Sequence, residues 1–511
     1  MLVKTYGCAV YGINAFLITI EVNIDPGVKF FLVGLPDNAV KESQQRIEAA
    51  LKNTGYKLPA KKIVINMAPA DIKKEGSAYD LPLAVGILAA SDQISTDKLN
   101  DYLIMGELSL DGSLRPIKGA LPIAIEAKKQ GFKGFILPSV NAKEAAIVEG
   151  LEVIGVDHLP EVLDFLEDRT DIPPTVFNVQ DEFEKNAGVY DVDFSDVRGQ
   201  ENVKRAFEIA AAGGHNIILI GPPGAGKTML AKRLTSILPP MTLEEALETT
   251  KIHSVSGKLK EVSLITRRPF RSPHHTISDV ALVGGGAVPQ PGEISLAHNG
   301  ILFLDELPEF KRTVLEVLRQ PLEERKVTIS RAKFAVEYPA GFSLVASMNP
   351  CPCGYLNHPE KECICSPQAV QRYLSKISGP LLDRIDLHIE VTPVKFDELS
   401  SSQPGESSAS IRTRVIKARE IQLTRFRSHA GIFCNAQMTT RMIRQYCQLD
   451  ETGKSLLKNA MEKLDLSARA YDRILRVART IADLDQSESI RPHHIAEAIQ
   501  YRSLDRENWG K

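Results

Sequence analysis

Residues 221–228 read Gly-Pro-Pro-Gly-Ala-Gly-Lys-Thr, a complete G-x-x-x-x-G-K-[ST] phosphate loop. Its chemistry requires a strand in front and a helix behind. Glycines let backbone N–H groups turn inward around a phosphate chain, and the helix N-terminus adds partial positive charge. The flanking residues meet that requirement. Ile217-Ile218-Leu219-Ile220 is a strand candidate, and Lys227 to Leu238 is a helix candidate. The bland reading is a chance glycine-rich turn, which the agreement of pattern, strand and helix disfavours. Gly221, Pro222, Pro223, Gly224, Ala225, Gly226, Lys227 and Thr228 are therefore expected to bind ATP. Lys227 is expected to reach the β- and γ-phosphates, and the Thr228 hydroxyl to hold Mg²⁺.

About eighty residues on, Gly300-Ile-Leu-Phe-Leu-Asp-Glu306 is an apolar run that ends in two acids. Buried parallel strands have this composition, and their C-terminal ends face the ligand crevice. Asp305 is expected to hold the Mg²⁺ shell and Glu306 to polarise the attacking water. Alone the run is weak evidence; with the loop it implies hydrolysis as well as binding.

A chain of 511 residues accommodates two to four domains. Its net charge of −2 gives no whole-protein field for nucleic acid, so any such binding must come from local basic patches. No apolar run approaches a membrane span of about 20 residues. Residues 1–20 lack a basic region, apolar core and small-residue cleavage site in order. Seven cysteines, an odd number, point to a reducing compartment. The expectation is a cytoplasmic protein with no membrane partner.

Three regions follow from composition and periodicity. Residues 1–170 alternate strand-like and helix-like segments, with Asn38 to Leu51, Leu81 to Ala90 and Gly119 to Gln130 as helix candidates, and read as a mixed α/β domain. Residues 171–189 carry a Pro-Pro pair and then polar and acidic residues, and read as a linker. Residues 190–396 hold the loop and the acid-ending strand as an α/β core. Residues 397–511 open on a Ser-, Pro- and Gly-containing stretch and continue as helices. Ala468 to Leu484 places Ala468, Tyr471, Ile474, Leu475, Ala478, Ile481 and Ala482 at helical spacing.

The segments Arg268-Pro-Phe-Arg-Ser-Pro-His-His-Thr276, Gly300–Glu306, Ser347-Met-Asn-Pro-Cys-Pro-Cys-Gly354 and Leu381-Leu-Asp-Arg-Ile-Asp386 resemble the magnesium-chelatase-type AAA+ ATPases. Within them they are similar to the bacterial YifB/ComM group, as is Val33-Gly-Leu-Pro-Asp-Asn38. The resemblance implies a homo-hexameric ring with ATP sites between subunits, a central AAA+ P-loop α/β core and a C-terminal helical lid. Asn349 matches the sensor-1 position, where an amide orients the attacking water; without the resemblance it is a turn residue before Pro350. Arg384 matches the arginine finger, a cation lent by a neighbouring subunit; otherwise it reads as an ion pair with Asp383 or Asp386. Arg469 matches sensor 2, reaching the γ-phosphate. Arg473 and Arg476 share its helix face and read as a solvated basic surface.

Gly106 to Gly119 and Phe135-Ile-Leu-Pro138 are similar to the proteolytic domain of Lon, which implies a Lon-protease-like (S5-like) α/β fold for residues 1–170. Lon uses a Ser-Lys dyad. Here Ala78 falls at the serine position and Leu121 at the lysine position, with Ser77 and Lys118 close by. The expectation is an inactive Lon-like domain.

Cys351-x-Cys353-x₉-Cys363-x-Cys365, within a loop at 351–365, offers four thiols for a structural Zn²⁺. The C-x-C spacing departs from the usual C-x₂-C, and reduced, unliganded thiols are the alternative. For DNA, single-stranded or branched, the candidates are Arg331 and Lys333 near the turn of an alternating hairpin pattern, and Arg268 and Arg271 interleaved with Phe270, His274 and His275. Residues 412–444 add eight Lys or Arg against one acid, Glu420, half of them expected to form a solvated face.

The resemblance implies an ATP-hydrolysing motor on DNA, a helicase promoting branch migration in recombination or natural transformation. A magnesium-chelatase motor subunit that remodels a protein partner fits the ATPase core equally. A protease-coupled unfoldase is disfavoured by Ala78 and Leu121.

Overall fold

Ile217–Ile220 forms a strand with all four side chains buried, as an unbroken apolar run must when both sheet faces are covered. In the computed structural model it lies in a five-stranded sheet ordered Phe270–Arg271, Ile301–Leu304, Ser343–Met348, Ile217–Ile220, Leu387–Glu390. Every pairing in that sheet is parallel. The strands therefore point their C-terminal ends the same way. The loop after Ile220, the acids after Leu304 and the asparagine after Met348 leave the sheet at one edge. The structure describes residues 2–502 apart from 187, 189, 260–261, 287–288, 332–333, 359, 395–404 and 465.

The chain divides into two units. One comprises residues 1–185, 243–266 and 332–338, the other 186–242, 267–331 and 339–511.

In the first unit the strands Leu2–Tyr11, Asn14–Asp25, Lys62–Ala68 and Phe30–Val33 form one sheet in that order. Lys62–Ala68 alternates half-buried and buried residues, the period-2 signature of a sheet with one face on the core. A second, parallel sheet joins Tyr102–Ile104, Gly134–Pro138 and Glu152–Val156. The helix Asp80–Ala90 is buried at every position, and beyond Asp80 it is apolar all round. A continuous helix from Asn38 to Leu51 is the sequence expectation. The chain instead forms Asn38–Lys41 and Ser43–Asn53, with Glu42 between them. Within 171–189, Val179–Asn186 is helical. Asn178 accepts the Asp181 N–H at its start, and Asp181 and Glu182 sit in the first turn, where acids favour helices.

In the second unit the sheet is followed by the helices Ser408–Phe426, Thr440–Tyr446, Glu451–Leu464, Ala468–Leu484 and Pro492–Gln500. Ala468–Leu484 starts at the Ser467 cap, whose side chain accepts the Ala470 N–H. Ile474, Leu475, Ala478, Ile481 and Ala482 are buried as the spacing predicts, whereas Ala468 and Tyr471 are exposed. Among the described residues no helix is long and apolar enough to cross a membrane.

Candidate functional site

The phosphate loop passes into the helix Lys227–Ile237 through Gly226, which has φ 81°, a backbone setting that a side chain disfavours. Lys227 Nζ donates to the carbonyls of Gly221 at 2.8 Å and Pro222 at 2.9 Å, and to Asn349 Oδ1 at 3.1 Å. Burial lowers its ammonium pKa, opposed by the Asp305 and Glu306 carboxylates. Thr228 Oγ1 donates to Asp305 Oδ2 at 2.8 Å. Lysine, threonine, both acids and the amide are thus gathered at the C-terminal edge of the parallel sheet. This is a donor set that can hold a polyphosphate and a hard divalent cation.

Three supporting residues have no legible signal in the sequence. Ser347, fully buried, donates its hydroxyl to Asp305 Oδ1 and fixes that carboxylate. Tyr373, on the helix Pro367–Leu374, presents its hydroxyl to the backbone N–H of Asn349. His275 Nδ1 lies 3.7 Å from Glu306 Oε2, while the adjacent His274 Nδ1 pairs with Thr276 Oγ1 at 2.9 Å. Each depends on which elements become neighbours rather than on local spacing. Phe270–Arg271 runs beside Ile301–Leu304, which carries His275 to the end of the acid strand.

Arg384 is buried and pairs with Glu323 through a short ion pair, donates to the Pro380 carbonyl, and leaves Nε without a hydrogen bond. It lines an open groove with Glu316, Arg319 and Gln320. Burial lowers its guanidinium pKa against the pull of Glu323, and Arg319, Arg469 and Arg473 lower it further. Arg469, largely exposed, meets Asp383 at 3.5 Å. The structure therefore brings Arg384 and Arg469 to one cationic edge. Arg473 corrects the expectation of a solvated basic face. It pairs with the buried Asp386, which also accepts from His215 Nδ1 at 3.3 Å and the Asn216 N–H at 3.2 Å. Burial pushes the Asp386 carboxyl up, but Arg473 and His215 outweigh it and hold the pKa well below the usual range. Asn216 is also tied in directly. It donates Nδ2–H to the Arg384 carbonyl at 2.9 Å and accepts the Leu344 N–H at 2.9 Å.

The four cysteines converge. Their sulfurs lie within 4.8 Å of one another, with 3.4 Å from Cys351 to Cys353, 3.7 Å from Cys351 to Cys363 and 3.6 Å from Cys353 to Cys363. A tetrahedron with metal–sulfur bonds of about 2.3 Å has edges of about 3.8 Å, so the cluster fits a tetrathiolate site. A disulfide would need about 2.05 Å. The Tyr355 N–H draws the Cys353 thiol down to about 6, and burial only partly opposes it.

The proposed DNA residues separate. Arg268 donates to the carbonyls of Pro239 at 2.7 Å and Asn299 at 2.8 Å. Arg271 makes a bidentate pair with Glu293 at 2.6 and 2.8 Å. Both guanidiniums are engaged within the fold. Strands Lys326–Arg331 and Phe334–Pro339 flank the expected turn; the Arg331 side chain and all of Lys333 lie outside the described residues. In the 412–444 segment Arg412, Arg414, Arg419 and Arg425 bond to Ser236, Glu208, Ala211 and Asp483, so half of that patch is not a solvated face.

In the first unit, Ser77 opens a short 3₁₀ turn and donates its hydroxyl to the Glu107 carboxylate. Leu121 is in the core. The Lys118 stem lies against Gly257, where a Cβ would come within 2.9 Å of its Cε.

A parallel sheet bearing a phosphate loop, an acid-ending strand and an asparagine at one edge, followed by a helical region, defines a P-loop ATPase of the AAA+ class. Residues 193–399 match the family described as magnesium chelatase, subunit ChlI; residues 20–141 match subunit ChlI of Mg-chelatase, and 405–502 its C-terminal region. The chain is 47% identical over 505 residues to the uncharacterized protein YifB of Escherichia coli, covering 98% of this chain and 96% of that one. It is 46% identical over 503 residues to the competence protein ComM of Haemophilus influenzae, covering 98% and 97%. It is also 31% identical over 179 residues to Lon protease 2 of Bacillus subtilis, covering 31% of this chain and 32% of that protein. The chain belongs to the YifB/ComM family of magnesium-chelatase-like proteins, and it is an AAA+ ATPase motor of that type.

Proposed function

We propose that the chain hydrolyses ATP as a homo-hexameric ring and moves on single-stranded or branched DNA, promoting branch migration during recombination or transformation. The observation that carries the reading is the division of labour within one unit. Lys227, Thr228, Asp305, Glu306 and Asn349 gather at the sheet edge, while Arg384 and Arg469 stand together beside Asp383 and Glu323. In this reading Lys227 and the loop N–H groups bind the phosphates. Thr228 and Asp305 hold Mg²⁺, which supplies charge neutralisation when bound. Glu306 takes the proton of the attacking water while Asn349 orients it. Arg384 is lent to the site of a neighbouring copy, where a cation stabilises the transferring phosphoryl group, and Arg469 reaches the γ-phosphate from the helical lid. The relative named as a competence protein is in keeping with a role in transformation. Arg331 and Lys333 are the proposed contacts, because the internal bonds of Arg268 and Arg271 speak against their reaching DNA.

Residues 1–170 are proposed as a non-proteolytic Lon-like domain, 171–189 as a connector, 190–396 as the ATPase domain and 397–511 as its lid, in a cytoplasmic protein. Cys351, Cys353, Cys363 and Cys365 are proposed to hold a structural Zn²⁺, since four thiolates leave no open coordination position. The second reading, a magnesium-chelatase-type motor that remodels a protein partner, is favoured by the family matches along the chain.

Phosphate release with and without forked DNA tests the first reading. Forks should stimulate turnover, and Arg331→Ala/Lys333→Ala should abolish the stimulation while nucleotide binding persists. An ATPase indifferent to every DNA form, but responsive to a protein partner, would favour the second.

A further inference from the structure

The cysteine knuckle does more than close a loop. It leaves the sheet directly after Asn349, so its first sulfur, Cys351, is two residues from an amide that touches Lys227. Its turn is closed by the Gly354 N–H to the Cys351 carbonyl at 3.0 Å. Gly354 has φ 84°, and a Cβ there would stand 2.5 Å from Cδ of Pro223 and 3.8 Å from Cγ of Asn349. Bare knuckle backbone is therefore seated on the phosphate loop itself. The far end is anchored too. Ser366, the residue after Cys365, caps the helix Pro367–Leu374, and that helix carries Tyr373 back to the Asn349 N–H. A fifteen-residue loop pinned only at its ends has many conformations available. Four thiolates on one ion would remove most of them.

We propose that the knuckle braces the nucleotide loop. A tetrahedral thiolate-bound metal ion of the Zn²⁺ class holds Gly354 against Pro223, so that metal and nucleotide each tighten the binding of the other. The coupling rests on the reading of the four cysteines as a zinc site. It adds that the site acts on nucleotide binding and not only on folding. Couplings between linked sites are reciprocal and commonly amount to 5–150-fold in affinity, about 1–3 kcal/mol.

The test uses the full-length protein, elemental analysis for metal, and a fluorescent ATP analogue for nucleotide affinity. Removing zinc by chelation under reducing conditions should weaken analogue binding by about tenfold, and adding Zn²⁺ back should restore it. Gly354→Ala should weaken the analogue by a similar factor with its metal content unchanged, and it decides the matter if the stripped protein unfolds. In the reverse direction, saturating analogue should slow the extraction of zinc by a competing chelator. Full zinc occupancy with unaltered analogue affinity in Gly354→Ala, and no effect of the analogue on extraction, would overturn the coupling while leaving the zinc site standing. Equal metal content in wild type and Cys351→Ser/Cys353→Ser would remove the zinc site, and the coupling with it.

Discussion

Each of the two units buries an aspartate against an arginine, and the two aspartates titrate in opposite directions. In the first unit Asp80 is fully buried and meets Arg46 at 2.7 and 2.9 Å, yet burial pushes its carboxyl up to about 6. In the second, Asp386 is equally buried and is held below the usual carboxylate range. The difference is the number of partners. Asp80 has one guanidinium and the Leu108 N–H at 3.3 Å; Asp386 has Arg473, His215 and the Asn216 N–H. The several partners of Asp386 outweigh its burial, whereas Arg46 and the Leu108 N–H do not outweigh that of Asp80. The same contrast runs through the two candidate chemistries. The serine of the first unit faces a carboxylate, Glu107, and not a lysine, whereas the lysine, acids and amide of the second converge.

The comparison breaks most visibly at the arginine edge. Arg384→Ala should lower turnover by about 10³-fold with analogue binding retained, as expected for a cation that acts on the transferring phosphoryl group. Mixing it with Glu306→Gln should restore part of the activity, because some sites then pair an intact acid with an intact arginine. Absence of any recovery in phosphate release would remove the shared-site reading.

A smaller effect is expected in stability. Asp386→Asn leaves Arg473 and His215 without their carboxylate and should cost about 3–5 kcal/mol at neutral pH, read by hydrogen exchange in Ile217–Ile220. The signs follow from the direction of each shift. The depressed pKa of Asp386 gives stability that is present above the unfolded carboxylate value, about 4, and lost as pH falls below it. The raised pKa of Asp80 gives a contribution that is present below about 4 and lost as pH rises through about 6. Protection in Asp80–Ala90 should therefore rise on mild acidification, and Asp80→Asn should abolish that slope. The smallest effect belongs to Ser77→Ala, which should leave phosphate release within experimental error and should remove no peptidase activity.

What the sequence made legible were features whose meaning is local. The loop, the strand before it and the acid-ending run each carry their geometry in consecutive residues, and the four cysteines lie within one short loop. What it hid depends on which strands become neighbours. Ser347 matters because its strand lies beside the acid strand, and His275 because its own strand flanks the other side. The basic residues show the same limit in reverse. Arg271 with its aromatic and histidine neighbours has the composition of a nucleic-acid surface, but composition does not reveal Glu293, twenty-two residues away, which occupies it. Arg473 looked solvated because its partner, Asp386, is distant in sequence.

Asn216 stands immediately before Ile217, and its side chain grips the carbonyl of Arg384. From there four extended residues, about 13 Å of stiff backbone, run straight into Gly221. A tug on the segment bearing Arg384 is thus delivered to the start of a rod whose far tip is the cradle for phosphate. In the proposed ring, a load placed on Arg384 would reach the phosphate loop along that rod.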